Sequence, residues 1–568
     1  MSERSKSLLR KFIKYTGWII SRTKSSFAPL LLLTAAGIIS SLTSILIALE
    51  SKKLFDSAQF GIIDNLLVSA IAIIGIVMLQ TLMQSFLRVY STKISVSLSN
   101  ELRRDFFAKL SRARWIEFAR YHSEDLLTRM TNDLETVVSG VTLAIPSIIG
   151  LFFALCASAV VLFVFDPYLA LLAFILGPLS VIMTRVFGRR LSEYHLRLQE
   201  TESESRSFIQ ERLRNMPVIR AFRLENKSIS LLSSLLDKKL GLILKRSKMT
   251  AVSSALLTLS YWLGFLLAII WGSIQLSRGN ATFGTITVYF QLVGRIQEPF
   301  VEMAYAVPQI IMMYVSAGRL ISLYDIEEEL PSAGRLDWAS AGISADNLVF
   351  RYDKDALVFD NASFDIKPGQ FAAITGASGE GKTTFIRLLL SLIEPVSGTL
   401  SFYNPATGES VETGSSTRSL IAYVPQGNTL FSGTIAENVM FGNSDATPEE
   451  ITDALKKACI WDFIETLPDK TETKIGENGY GLSEGQAQRI AIARALVGKK
   501  PILILDEATS ALDSATELDV LNSLASIEPR PTCIIITHRK AALDFCDRIF
   551  EIEKGCISEK TLTDTASQ

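Results

Sequence analysis

Gly376-Ala377-Ser378-Gly379-Glu380-Gly381-Lys382-Thr383 fits the pattern G-x-x-x-x-G-K-[ST], and Thr384 follows it directly. The five residues before it, Phe371-Ala372-Ala373-Ile374-Thr375, form a short apolar run that predicts a buried strand. A strand, a glycine-rich turn and a helix starting near Lys382 together make a cradle for phosphate. The glycines let backbone N–H groups curl around phosphate oxygens, and the helix aims the positive end of its dipole at them. In such a loop Lys382 reaches the β- and γ-phosphates and the Thr383 hydroxyl ligates Mg2+. The implied ligand is a nucleoside triphosphate. The plainer reading is a strand–helix turn with no ligand, and four further pieces downstream argue against it.

Those pieces are Tyr423-Val424-Pro425-Gln426, then Leu482-Ser483-Glu484-Gly485-Gln486, then Ile502-Leu503-Ile504-Leu505-Asp506-Glu507, then Ile536-Thr537-His538. The third is an apolar strand ending in two adjacent carboxylates, the Walker B arrangement. There Asp506 can hold the Mg2+ shell, and Glu507 is placed to polarise the attacking water as general base. A strand capped by acidic residues is the bland alternative. It fits poorly about 124 residues beyond a P-loop lysine, with Ser510-Ala511-Leu512-Asp513 next in the chain resembling the D-loop of P-loop transport ATPases.

In this order, downstream of a hydrophobic first half, the pieces resemble the ATP-binding-cassette (ABC) transporters, over residues 341–559. The resemblance implies ATP as the nucleotide. It implies that Gln426 touches Mg2+ and that His538 contacts the γ-phosphate. It makes Ser483 and Gly485, at the start of a helix opened by Gln486, the signature that meets the γ-phosphate of a partner cassette. Glu484 stands where the family usually has glycine, and its effect is not given by the sequence. Tyr352 fits the aromatic that stacks on adenine, with Phe350 a close competitor. Gly476-Glu477-Asn478-Gly479 resembles the exporter X-loop. The expected catalytic set is therefore Glu507, His538 and Gln426. The expected nucleotide-binding set is Tyr352, residues 376–384, Gln426, Ser483, Gly485 and Gln486. The expected metal set is Thr383, Gln426 and Asp506.

The first half carries long uncharged runs at residues 30–49, 66–87, 136–165, 167–184 and 249–277, and a sixth, charged one from about 282 to 313. Runs of this length predict membrane-spanning helices. Mean hydropathy is +0.29 over 568 residues, with 48% hydrophobic and 20% charged residues, as expected of a membrane domain fused to a large soluble one. The net charge of −1 gives no case for nucleic acid. Five cysteines without C-x-x-C spacing suggest neither a zinc site nor a disulfide framework. Residues 1–27 are basic and amphipathic, with no cleavable signal evident, and read as an interfacial elbow helix. Lys and Arg number 7 in residues 1–27, 9 in 88–135 and 15 in 185–248, against 2, 0 and 1 in the opposite loops. The positive-inside rule then places both termini in the cytoplasm. The two basic loops are long enough for helical extensions, with tips expected near residues 115–122 and 215–222.

The expected fold is an all-α six-helix transmembrane domain with long cytoplasmic helical extensions, plus an α/β P-loop ATPase domain. The expected division is an elbow at 1–27, a membrane domain at 28–325, a linker at 326–340 and a cassette at 341–568. One chain has one P-loop and one signature, so the resemblance implies a dimer of half transporters, a homodimer by default. It implies ATP-driven export of a small molecule, lipid or peptide across a bacterial cytoplasmic membrane, with ATP and Mg2+ as cofactors. An importer on the same fold, a heterodimer subunit and an ATP-gated channel are the rival readings. Gln291, Arg295, Glu298, Glu302, Tyr305 and Gln309 fall within roughly 80° of one helical face. Charges at a bilayer centre cost about 2.5–3.5 kcal/mol each, so this stripe is expected to line the substrate cavity. An intersubunit salt-bridge network is the bland alternative.

Overall fold

The computed structural model describes residues 3–329, 334–352, 357–476, 479 and 481–560. Side chains at 3–9, 179–181, 183–189, 192, 304 and 305 lie outside the description. The chain divides into two compact units, one of residues 1–111 with 122–325 and one of residues 112–121 with 326–568.

The first unit is helical throughout: α1 (Glu3–Arg22), α2 (Phe27–Gln59), α3 (Ile63–Ser111), α5 (Ser123–Thr128), α6 (Leu134–Ser139), α7 (Ile145–Phe165), α8 (Pro167–Arg214), α9 (Met216–Ala221), α10 (Glu225–Ser277) and α11 (Phe283–Tyr324). The short α4 (Trp115–Phe118) belongs to the second unit. Two π-helical turns, Arg129–Asp133 and Gly140–Ala144, join α5, α6 and α7 into one continuous rod. Five helical stretches are long and apolar enough to cross a membrane among the described residues. The expected fourth span falls on α8, whose described apolar part is Pro167–Pro178. α3, α8 and α10 run to 49, 48 and 53 residues, about 70–80 Å at 1.5 Å per residue. That is more than twice a hydrocarbon core of about 30 Å. The turns between long helices fall where the sequence predicts tips, at α4 and at α9, which begins Met216-Pro217.

Apolar packing around α11 forms the centre of this unit. Val288, Leu292, Val293 and Ile296 are fully buried against Ala48, Leu162, Ala173 and Ala268. Burying a polar group unpaired costs about 2–7 kcal/mol in an apolar medium. Two buried carboxylates here are held by donors, although both amide atoms of the buried Gln297 on α11 have no partner among the described residues. Asp166 caps α8 through the Tyr168 and Leu169 N–H groups and accepts from Trp271 Nε1 at 2.6 Å. Asp133 accepts from Ser316 at 2.9 Å and from Arg319 at 2.5 Å. α1 lies on the end of α11, with Phe12 stacked on Tyr314 at 4.8 Å and Lys14 paired to Asp325 at 2.8 Å.

The second unit is α/β. Strands β1 (Gly342–Arg351), β2 (Leu357–Ile366), β4 (Ser397–Tyr403) and β5 (Ser410–Glu412) make an antiparallel sheet in the order β2-β1-β4-β5. β3 (Phe371–Thr375), β6 (Ile421–Val424), β9 (Ile502–Asp506), β10 (Thr532–Ile536), β11 (Arg548–Glu553) and β12 (Cys556–Lys560) make a second sheet in the order β12-β11-β3-β10-β9-β6. A two-stranded pair, β7 (Gly433–Thr434) with β8 (Lys474–Ile475), lies apart. Helices α12 (Lys382–Leu389), α13 (Ile435–Met440), α14 (Pro448–Lys457), α15 (Trp461–Glu465), α16 (Glu484–Leu496), α17 (Ser514–Ala525) and α18 (Lys540–Phe545) complete the unit. Alternate residues of the central strands feed two cores. Phe371, Leu503, Leu505, Cys533 and Ile535 face one, and Ala372, Ile374, Ile502, Ile504, Ile534 and Ile536 face the other. Burial on both faces is why these strands read as unbroken apolar runs.

Segment 112–121 is tied to the stretch after α11. Ala113 bridges Glu328, Arg114 N–H donates to the Glu327 carbonyl at 3.0 Å, and the Arg114 guanidinium pairs with the Glu327 carboxylate at 3.0 Å. Glu329 then takes a two-pronged grip from Arg418 at 2.6 and 2.8 Å, three residues before β6 begins.

Candidate functional site

β3, β10, β9 and β6 are adjacent and parallel. The P-loop leaves the C-terminal end of β3, His538 follows β10, Asp506 ends β9 with Glu507 next to it, and Gln426 follows β6. Four segments far apart in sequence therefore meet along one sheet edge, the edge where open α/β sheets bind ligands. The register is level, with Ile536 opposite both Ile374 and Asp506, and Val424 opposite Leu505.

The P-loop shape is set by two glycines. Gly376 has φ +145°, and a Cβ there would lie 2.5 Å from the Ile552 carbonyl. Gly381 has φ +113° and caps α12, with Val358 2.8 Å from the same kind of added atom. A side chain at either place would be strained and crowded. Ala377, Ser378 and Gly379 are exposed at the tip and so is Thr383. Lys382 Nζ reaches back to the Gly376 and Ala377 carbonyls at 2.5 and 3.1 Å, which holds its charge over the loop. Glu380 turns away and accepts from the Lys554 N–H at 2.8 Å, tying the loop to the β11–β12 hairpin.

Burial and the neighbouring Glu507 charge push the Asp506 carboxyl above the usual carboxylate range. Tyr423 donates to Asp506 at 3.4 Å. Gln426 Nε2 donates to Glu507 Oε2 at 2.6 Å. Two adjacent carboxylates, one buried, favour a cation beside them. Among the described residues no three His, Cys, Asp or Glu side chains converge as a metal cage. Hydroxyl, amide and one carboxylate oxygen suit Mg2+, which keeps few protein ligands and takes the rest from water and phosphate. The residues present therefore fit Mg2+ held with a nucleotide.

Tyr352 and Phe350 separate cleanly. Phe350 is 2% exposed in the core, whereas Tyr352, just past the end of β1, is 42% exposed and available for stacking. Its hydroxyl lies 3.2 Å from Thr384 Oγ1 and accepts from Arg387 at 2.9 Å. His538 is exposed beyond β10.

The signature opens α16. Ser483 is the N-cap, its Oγ accepting from Gln486 N–H at 3.3 Å while Gln486 Oε1 accepts from Ser483 N–H at 2.8 Å. Gln486 thus spends its side chain on a capping box. Glu484 is exposed in the first turn, where the helix dipole favours an acidic residue over the family's usual glycine. Of the X-loop residues, Glu477 and Asn478 lie outside the described residues.

Sequence reading passed over Gln488, Glu517 and Arg539. Gln488 is 3% exposed, donates to Ser510 at 3.1 Å and accepts from Ala511 N–H at 3.1 Å, which joins the signature helix to the turn after Glu507. Its signal was a polar residue on the buried Ala487–Ala491 face of α16.

Residues 27–300 match the profile described as the ABC transporter transmembrane region, and residues 359–510 match the one described as ABC transporter. The ATP-dependent lipid A-core flippase of Syntrophus aciditrophicus is 30% identical over 470 residues, spanning 82% of this chain and 77% of that protein. The chain belongs to the ABC transporters. It is an exporter-type half transporter, with one membrane region and one ATPase domain, that couples ATP hydrolysis to transport. An uncharacterized ABC transporter ATP-binding protein of Bacillus subtilis, YknU, is 26% identical over 499 residues, 86% of this chain and 84% of that one. The structure of a bacterial Atm1-family ABC exporter with ATP bound superposes with a TM-score of 0.78 over 96% of both chains at 24% identity, a likeness of fold. This ABC transporter is an integral, multi-pass membrane protein.

The stripe on α11 falls on the face away from its packed side. Arg295, Glu298, Glu302 and Gln309 are exposed and Gln291 is half-buried, while Leu292, Val293 and Ile296 face inward. Arg295 and Glu298 approach to 3.8 Å. Tyr305 falls on the same helix, and its side chain lies outside the described residues.

Proposed function

We propose that this ABC transporter works as a dimer that exports an amphiphile from the cytoplasmic side of a bacterial inner membrane by alternating access. The observation that carries the reading is the alignment of P-loop, Asp506-Glu507, His538 and Gln426 on one sheet edge of a chain that also holds a membrane domain. In this reading Lys382 and the loop N–H groups bind the ATP phosphates, and Tyr352 stacks on adenine. Thr383, Asp506 and Gln426 hold Mg2+, which when bound neutralises charge developing on the phosphates. Glu507 takes the proton of the attacking water, and His538 steadies the γ-phosphate. Ser483 and Gly485 serve the partner's ATP, so ATP draws two cassettes together and hydrolysis releases them. Within the second unit, segment 112–121 is tied to Glu327, and Glu329 to Arg418. The Lys and Arg distribution supports cytoplasmic termini.

Dimer geometry has a direct readout. Cysteines placed at Ser378 and Ser483 are expected to cross-link between subunits when ATP is present. Cross-links formed only within one chain would contradict the shared site.

The flippase relative supports a lipid-like substrate, and the exposed α11 stripe supports a cationic or zwitterionic group on it. Lipid, drug and peptide panels in sealed inside-out vesicles test both direction and class. ATP-dependent accumulation inside the vesicles is the expected result, and ATP-dependent depletion would mean import. In the same vesicles, Glu298→Gln with Glu302→Gln is expected to remove substrate-stimulated ATPase while basal turnover persists. Unchanged stimulation by every cationic substrate would take the stripe out of the binding site.

A further inference from the structure

Backbone strain sits at the proposed general base. Glu507 has φ +48°, a left-handed conformation that a non-glycine residue keeps only where its surroundings hold it. Its N–H donates to the Ile536 carbonyl at 3.0 Å, and Ser510 N–H donates back to the Glu507 carbonyl at 3.1 Å. These bonds fix the start of the turn. Its next residues are fixed by side chains from elsewhere in the cassette.

Thr509 donates its hydroxyl to Glu517 Oε1 at 2.7 Å. Arg539 Nη1 donates to Glu517 Oε2 at 2.9 Å and to the Thr509 carbonyl at 3.0 Å. Glu517 is 1% exposed and Thr509 2% exposed. Glu517 lies in the first turn of α17, and Arg539 follows His538 directly. Three side chains thus join the turn that carries Glu507, the helix after it, and the segment that carries His538. Arg539 N–H also donates to Thr537 Oγ1 at 3.0 Å, which stiffens the histidine segment itself.

A buried carboxylate is a costly way to pack a helix, since apolar side chains of similar volume often do as well or better. What it adds here is direction, with each oxygen given its own donor. We propose that Glu517 and Arg539 are positioning residues for ATP hydrolysis. They hold the Glu507 turn in its left-handed form and fix its separation from His538. The proposal rests on the reading of Glu507 and His538 given above. Glu517 is sealed from the nucleotide and Arg539 Nη1 is occupied by the turn, so both act through their neighbours.

The test is steady-state ATPase of the full-length transporter in nanodiscs, with turnover expressed per bound nucleotide so that loss of folded protein does not count. Glu517→Gln and Arg539→Met are expected to lower kcat about 10- to 100-fold, the scale of a small misplacement of a reacting group. KM for ATP should stay within about twofold, because the P-loop contacts are untouched. Arg539→Lys should recover most of the loss, since it keeps a charged donor. Thr509→Val, a change of similar volume, should lower kcat by a smaller factor and keeps the question open to measurement where Arg539→Met does not fold. An unchanged kcat in Glu517→Gln, or a fall in KM and kcat together that Arg539→Lys does not relieve, overturns the proposal. Glu507→Gln is measured alongside. Near-normal hydrolysis by that variant would remove the general-base reading itself, whereas an inactive Glu507→Gln beside a normal Glu517→Gln would remove only the positioning role.

Discussion

Replacing Glu507 by glutamine is expected to leave ATP binding in place and to lower steady-state hydrolysis by about 10²- to 10⁴-fold, the usual cost of losing a positioned base. The substitution keeps the shape of the side chain and an oxygen that can accept from Gln426 Nε2, now 2.6 Å from the carboxylate. It also relieves Asp506. Burial raises the Asp506 carboxyl first and the Glu507 charge adds to that, so removing the charge returns Asp506 toward its ordinary range. The ionised, metal-holding form is then easier to keep, and binding of Mg2+ with ATP is preserved. The closed dimer should accumulate. Radiolabelled nucleotide retention beside phosphate release checks both halves, and phosphate release near the wild-type rate would sink the assignment.

Removing the Lys382 ammonium is expected to act one step earlier. A hydrogen bond to a charged group contributes about 1.5–3 kcal/mol, so Lys382→Ala should weaken ATP binding by about 10- to 150-fold. The protein itself should tolerate the change. Among the described residues Nζ bonds the Gly376 and Ala377 carbonyls of a part-exposed loop, which water can serve instead. His538→Ala is the contrast, with affinity kept and turnover reduced, because the histidine follows β10 and is not one of the loop groups that follow β3. Calorimetric titration of ATP into the two variants separates these effects. Equal, unchanged affinities in both would rule out the P-loop role of Lys382.

Glu484 illustrates a departure whose local reason the sequence hides. As a residue in the signature it is an unexplained negative charge. As the first residue of α16 it is an acid at the positive end of a helix, exposed and free of any steric demand for glycine. Gly485 is different, since an added Cβ there would sit 3.0 Å from the Ala511 carbonyl. Adjacent residues of one motif therefore have unequal freedom.

The sequence by itself determined the elements and their order. Apolar runs at residues 371–375 and 502–506 are strands because burial on both faces leaves no polar side. The P-loop is a loop because its glycines reach positive φ without strain. Charge-free runs of span length are helices because no other open structure satisfies its backbone in lipid. These are short-range causes, and they are legible one window at a time. Tertiary structure decided which side chains are left over for chemistry. Phe350 and Tyr352 look alike in sequence, and only the folded core, which takes in Phe350 and leaves Tyr352 outside, tells them apart. Gln486 is expected from the sequence at the nucleotide, and only the folded chain shows that its amide also closes a capping box with Ser483. Arg114 meets Glu327 across 213 residues, and Glu517 meets Arg539 across 22. No local period encodes such pairs. They form because two elements, each already folded for its own reasons, bring a donor and an acceptor within about 3 Å, and at the buried Glu517 water cannot take the donor's place.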